Sequence, residues 1–189
     1  MKAPLRHLIL GGQRSGKSRH AEQRALAWCA SAPHRRATVV ATAQVLDDEM
    51  RQRVERHRHD RPAPLATAEV PLDLAQFIAA HSHADHLLLV DCLTLWLTQW
   101  LMPLNAPSSA SAWAAQREAF AMAVRGSAGP LLLVSNEIGL GVMPMGRETR
   151  HCVDELGRVH QALAHACDQV TLMVAGWPMA VKPAPGGTP

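Results

Sequence analysis

Short, unbroken apolar runs recur along the chain at Leu8–Leu10, Thr38–Thr42, Leu87–Val90, Leu131–Ser135 and Val170–Ala175. Runs of this length without polar alternation predict strands buried on both faces. The segments between them have helical composition, so the chain predicts an α/β fold: a mostly parallel sheet with helices on both faces. Ligands of such sheets gather in the loops at the carboxyl ends of strands, and the polar clusters of this chain follow strand ends. Asn105-Ala106-Pro107-Ser108-Ser109-Ala110-Ser111 predicts a surface loop before a helix over Ala112–Val124, and a further helix is expected over Asp154–Ala166. Residues 1–182 are expected to form one domain. The Pro- and Gly-rich residues 183–189 cannot continue a helix or central strand and are expected to be disordered.

Composition narrows the class. A chain of 189 residues with 48% hydrophobic residues suits one soluble domain with a sizeable core. A formal net charge of +3 favours anionic small ligands but is no nucleic-acid footprint. Cys29, Cys92, Cys152 and Cys167 lie far apart with no C-x-x-C pair, which argues against a zinc site or disulfide framework. With no signal-peptide pattern, and no apolar run approaching the roughly 18–20 residues of a membrane span, a cytoplasmic location is expected.

The most informative motif follows the first apolar run. Gly11-Gly12-Gln13-Arg14-Ser15-Gly16-Lys17-Ser18 reads G-x-x-x-x-G-K-S, between a buried-type strand and the helix-forming Arg19-His20-Ala21-Glu22-Gln23. Glycines let backbone N–H groups close around phosphates, and the helix N-terminus that follows adds a favourable dipole. Lys17 reaches the β- and γ-phosphates, and the Ser18 hydroxyl is a Mg²⁺ ligand. Lys17 is also one of only three lysines, with Lys2 and Lys182. The chain is expected to bind a nucleoside triphosphate.

Two further segments could add chemistry. Asp91 ends the run Leu87–Val90, where a strand beside the phosphate-loop strand would place a second Mg²⁺-organising acid; the alternative is a helix-capping or loop aspartate, and the phosphate loop favours the Mg²⁺ role. Residues 47–60 start with Asp47, Asp48 and Glu49 and continue through Arg56, His57 and Arg58, a charge order suited to a helix. Glu49, Arg53 and His57 share one face of it. That helix is either a solvated charged helix or the carrier of a nucleophilic His57, with flanking arginines to neutralise a transferring phosphate. After the fourth run, Asn136-Glu137-Ile138-Gly139-Leu140-Gly141 suggests a glycine loop near a ligand or a neighbouring subunit. Arg150 is a candidate phosphate or interface residue. His20, His81, His83, His86, His151 and His165 show no metal-ligand spacing.

Together these residues resemble the bifunctional adenosylcobinamide kinase / adenosylcobinamide-phosphate guanylyltransferase family. The resemblance is carried by Gly11 to Arg19 with Ala21-Glu22, and by Ala41-Thr42-Ala43-Gln44 through Asp47-Asp48-Glu49-Met50 to Arg61-Pro62. Asp91-Cys92-Leu93-Thr94, Ser135-Asn136-Glu137-Ile138-Gly139 and Gly157-Arg158-Val159 extend it. It implies a RecA-like P-loop fold and two Mg²⁺-dependent reactions of cobalamin assembly. ATP or GTP would phosphorylate a corrinoid alcohol, and GMP would then pass from GTP to that phosphate through a GMP-histidine intermediate. On this resemblance the histidine of the second reaction is His57, and Lys17 is the catalytic residue of the kinase step. Nucleotide contacts are implied for the phosphate loop and for Thr42, Ala43, Gln44, Arg58, His59, Asp60, Arg61, Glu69 and Asp91, and metal contacts for Ser18 and Asp91. A homotrimer is implied as well, with no nucleic-acid partner.

Three positions depart from the family pattern: His160 stands where asparagine is usual, Val153 where arginine is common, and Arg56 where some relatives carry a second histidine. The competing readings are a guanylyltransferase without the kinase step, a P-loop kinase for another small alcohol, and a nucleotide-gated switch.

Overall fold

The computed structural model describes residues 5–44, 65–103 and 109–183. Strands β1 (Arg6–Gly11), β2 (Arg36–Ala41), β3 (Leu65–Glu69), β4 (His86–Asp91), β5 (Leu131–Asn136), β6 (Gln169–Val174) and β7 (Trp177–Lys182) form one sheet in the order β3-β2-β4-β5-β1-β6-β7. All neighbours pair in parallel except β6 and β7, which form an antiparallel hairpin at one edge. The helices are α1 (Lys17–Ala30), α2 (Leu74–His81), α3 (Leu93–Leu101), α4 (Ala110–Arg125) and α5 (Arg147–Ala166). The expected mostly parallel sheet with helices on both faces is what forms.

Successive strand residues point to opposite faces, and the apolar runs therefore feed two cores. Leu8, Leu88, Val90, Leu131 and Leu133 pack with α2, α3, α4 and α5, where Trp96, Trp113 and Phe120 form the aromatic centre. Ile9, Leu89, Leu132 and Val134 face the other way, against Ala21 and Ala25 of α1. Those small residues bring the α1 axis close to the sheet. In α5 the buried Cys152, Leu156, Val159 and Leu163 fall on one helical stripe.

Several expectations need correction. The helix expected over Asp154–Ala166 begins at Arg147, because the turns before Asp154 are polar yet remain in register with its apolar stripe. Ala110 and Ser111, expected in a loop, already belong to α4, whose first turn is capped by Ser109 accepting from the Ala112 N–H at 3.3 Å. Strands β3 and β7 are edge strands with mostly exposed residues; β3 is mixed in polarity, while β7 is apolar from Trp177 to Val181 but contains Pro178, which argues against a central strand. The expected charged helix over 47–60 and residues 184–189 of the expected tail lie outside the described residues. Among the described residues, no helix is long and apolar enough to cross a membrane.

Candidate functional site

The phosphate-loop motif leaves the carboxyl end of β1 at Gly11 and enters α1 at Lys17. A turn closes from the Ser15 N–H to the Gly12 carbonyl at 3.2 Å, and Gly16 then takes φ +91°, a left-handed conformation that disfavours a side chain. Gly11 is constrained by space: a Cβ there would lie 2.4 Å from Ser15 Oγ and 2.9 Å from the Met173 carbonyl oxygen. No side chain caps the start of α1 and no acidic residue sits in its first turn. The positive end of the helix thus faces the loop without a built-in anion. Ser15 Oγ is buried without a hydrogen-bond partner, while Lys17, buried to 8% exposure, donates from Nζ to the Gly12 carbonyl at 3.1 Å.

Asp91 ends β4, but β4 does not lie beside the phosphate-loop strand. Strand β5 stands between them, aligning Asp91 with Val134 on one side and Gly11 with Asn136 on the other. The expectation of adjacency is therefore corrected: hydrophobicity identifies the strands but not their order across the sheet. At the β2 end, Thr42 is fully buried, and its hydroxyl donates to the Cys92 carbonyl at 2.7 Å and accepts from the Cys92 N–H at 2.9 Å. Its side chain braces the ends of β2 and β4. The Gln99 amide adds a bond to the Thr42 carbonyl at 2.6 Å.

The remaining positions spread along the same rim. Ala43 and Gln44 continue from Thr42, with Gln44 exposed. Glu69 ends the edge strand β3, four strands from β1, or about 19 Å along the sheet at the usual strand spacing. His57, Arg58, His59, Asp60 and Arg61 lie outside the described residues, between Gln44 after β2 and Leu65 at the start of β3. Arg150 lies in the first turn of α5, where it bonds the Pro144 and Met145 carbonyls and ties down the loop after β5.

Reading the sequence did not connect four polar residues that meet behind the loop. His160 of α5 has Nε2 2.8 Å from Ser135 Oγ and Nδ1 3.5 Å from Glu137 Oε2. Ser135 Oγ lies 3.4 Å from Thr94 Oγ1, which accepts the Asn136 N–H at 3.0 Å. The Glu137 N–H donates to the Gly11 carbonyl at 2.9 Å, and its Oε1 accepts from the Gly139 N–H at 2.8 Å. Burial lowers the His160 pKa below its ordinary value, and Glu137 opposes that shift. The signal available in sequence was a histidine on the apolar stripe of α5.

The chain matches the family described as cobinamide kinase / cobinamide phosphate guanyltransferase over residues 7–181. It is 45% identical over 181 residues to the bifunctional adenosylcobalamin biosynthesis protein CobP of Pseudomonas aeruginosa, covering 96% of this chain and 99% of that protein. CobU of Salmonella typhimurium, with the same descriptive name, is 38% identical over 184 residues, covering 93% of this chain and 98% of that protein. Among solved structures, the flagellar accessory protein FlaH from Methanocaldococcus jannaschii superposes with a TM-score of 0.52 at 11% identity, over 96% of this chain and 80% of that one. That likeness concerns the fold alone.

Proposed function

The chain belongs to the cobinamide kinase / cobinamide phosphate guanyltransferase family, and on that premise we propose that one catalytic unit, residues 1–182, carries out both reactions on adenosylcobinamide. In the first, a nucleoside triphosphate phosphorylates the aminopropanol hydroxyl. In the second, GMP passes from GTP to the new phosphate, giving adenosylcobinamide-GDP and pyrophosphate.

The observation that carries the kinase step is the glycine loop at the carboxyl end of β1, followed by an uncapped helix start. A phosphate in this loop would meet backbone N–H groups and the Lys17 ammonium, and would supply the partner that Ser15 Oγ lacks. Ser18 and Asp91 offer oxygen donors of the kind Mg²⁺ takes. Among the described residues, no group of three or more His, Cys, Asp or Glu is placed to hold a metal. Phosphate oxygens and water would complete the coordination, as is usual for Mg²⁺ at nucleotide sites. The ion, when bound, neutralises charge developing on the phosphates.

Attack at the α-phosphorus needs a nucleophile outside the phosphate loop, and His57 is our assignment. Its imidazole nitrogen forms the P–N bond as the α,β-anhydride bond breaks and pyrophosphate leaves. An oxygen of adenosylcobinamide phosphate then displaces the imidazole. Arg58, His59, Asp60, Arg61, Thr42, Ala43, Gln44 and Glu69 are assigned to nucleotide contacts by resemblance. The exposed Leu140, Val142 and Met145 after β5 suit a contact between copies in a homotrimer.

Product analysis tests this reading. Purified protein with Mg²⁺, ATP and adenosylcobinamide is expected to yield the corrinoid phosphate, and added GTP is expected to convert it to adenosylcobinamide-GDP. Failure of folded protein to make either corrinoid product would overturn the assignment.

A further inference from the structure

The polar residues behind the phosphate loop form a directed series. Thr94 of α3 and Ser135 of β5 are followed by His160 of α5, and His160 faces Glu137 just past the end of β5. The series ends beside the loop, because the Glu137 backbone bonds to Gly11, the first residue of the motif. We propose that Glu137 accepts the proton of the attacking alcohol in the kinase step, and that His160 is the positioning residue that aims its carboxylate; this rests on the kinase reading above. The substrate oxygen bonds to the γ-phosphorus as the bond from that phosphorus to the β,γ-bridging oxygen breaks. The nucleoside diphosphate leaves with that electron pair, and the hydroxyl proton passes to Glu137.

Geometry separates Glu137 from its neighbours. Its side chain is 22% exposed, so a substrate hydroxyl can reach it, whereas the His160 side chain is 9% exposed and has contacts at both ring nitrogens. Thr94 and Ser135 are weak bases. Asp91 ends the strand beyond β5, farther from the loop strand. One Glu137 oxygen is held by the Gly139 N–H at 2.8 Å, leaving Oε2 on the His160 side to take the proton.

The imidazole suits the task of orienting that oxygen. Neutral His160 can accept the Ser135 hydroxyl at Nε2 while turning an Nδ1–H towards Glu137. A neutral orienter supplies a directed hydrogen bond without placing a full positive charge beside the carboxylate, as a guanidinium would.

The test is steady-state phosphorylation of adenosylcobinamide by Glu137→Gln, which keeps the oxygen that accepts from Gly139. We expect kcat to fall about 100-fold or more, as for loss of a general base, with KM for ATP within about twofold of the parent. His160→Leu should lower kcat by about tenfold and have no further effect in the Glu137→Gln background, because the two act as one unit. His160→Asn, which retains a donor, should recover most of the rate lost in His160→Leu. Glu137→Gln with kcat within about threefold of the parent would overturn the proposal. So would loss of affinity for a non-hydrolysable ATP analogue, which would make Glu137 a loop brace, or additive losses in the double variant. A parent protein that binds ATP yet phosphorylates no corrinoid would instead overturn the kinase reading beneath it.

Discussion

The backbone N–H of Gly176, in the turn between β6 and β7, donates to the carbonyl of Ser15 in the phosphate loop at 3.1 Å. An edge hairpin therefore props the loop from the side opposite Glu137, which bonds to Gly11. Gly176 takes φ +85°, which proline cannot adopt, so Gly176→Pro removes that donor and also displaces the turn. A net hydrogen bond of about 1 kcal/mol corresponds to roughly a fivefold loss of affinity. Isothermal titration with an ATP analogue should show a loss of that order or larger.

Lys17 is nearly buried and donates from Nζ to the Gly12 carbonyl; the proposed function assigns it to the charge that develops on the transferring phosphate. Lys17→Ala should reduce corrinoid phosphorylation by about 100-fold or more, the usual scale for losing one preorganised electrostatic contact. Phosphorylation at the parent rate would contradict the role assigned to the loop.

Glu155 joins α4 to α5. Its Oε2 accepts from Trp113 Nε1 at 2.6 Å and from Arg117 Nη1 at 2.7 Å, and Oε1 pairs with Arg158. Burial opposes its ionised form, but Trp113 and the two arginines outweigh burial and hold its pKa below the usual value. Glu155→Leu would leave the buried indole N–H unpaired and should cost about 2–4 kcal/mol, read as a lower urea midpoint. Arg158→Ala, at an exposed partner, should cost under about 1 kcal/mol.

His7 carries an acid-dependent term. Burial first, then the charges of Arg24 and His20, lower its pKa from 6.5 to about 3. The unfolded chain takes up this proton near pH 6.5, while the folded chain resists it until about 3. The stabilising contribution is complete above pH 6.5 and is lost as pH falls through that window, at up to about 1.4 kcal/mol per pH unit. His7→Gln can still bond Thr171, whose Oγ1 lies 2.8 Å from His7 Nε2. Denaturation curves of this variant should show a shallower loss of stability between pH 6.5 and 4 than the parent.

The central strands were legible because both faces are buried, which makes Leu8–Leu10 or Leu131–Val134 continuously apolar. Edge strand β3 lacked that signal, since water covers most of Ala66–Glu69, and in β7 the apolar Trp177–Val181 carries Pro178, which argues against a strand. The phosphate loop was legible because its glycines answer local demands, the left-handed turn at Gly16 and the crowding at Gly11. Strand order is a non-local property, so the separation of Asp91 from the loop strand by β5 had no local signature. The same holds for His160 and Glu137, which are 23 positions apart in sequence and meet only when α5 packs on β5.

Trapping the covalent intermediate tests the two-reaction account most directly. Protein incubated with α-³²P-GTP and Mg²⁺ and then denatured should carry an acid-labile, alkali-stable label on His57, absent from His57→Ala. A folded protein that makes adenosylcobinamide-GDP without acquiring label, or a His57→Ala variant that keeps it, would contradict the account.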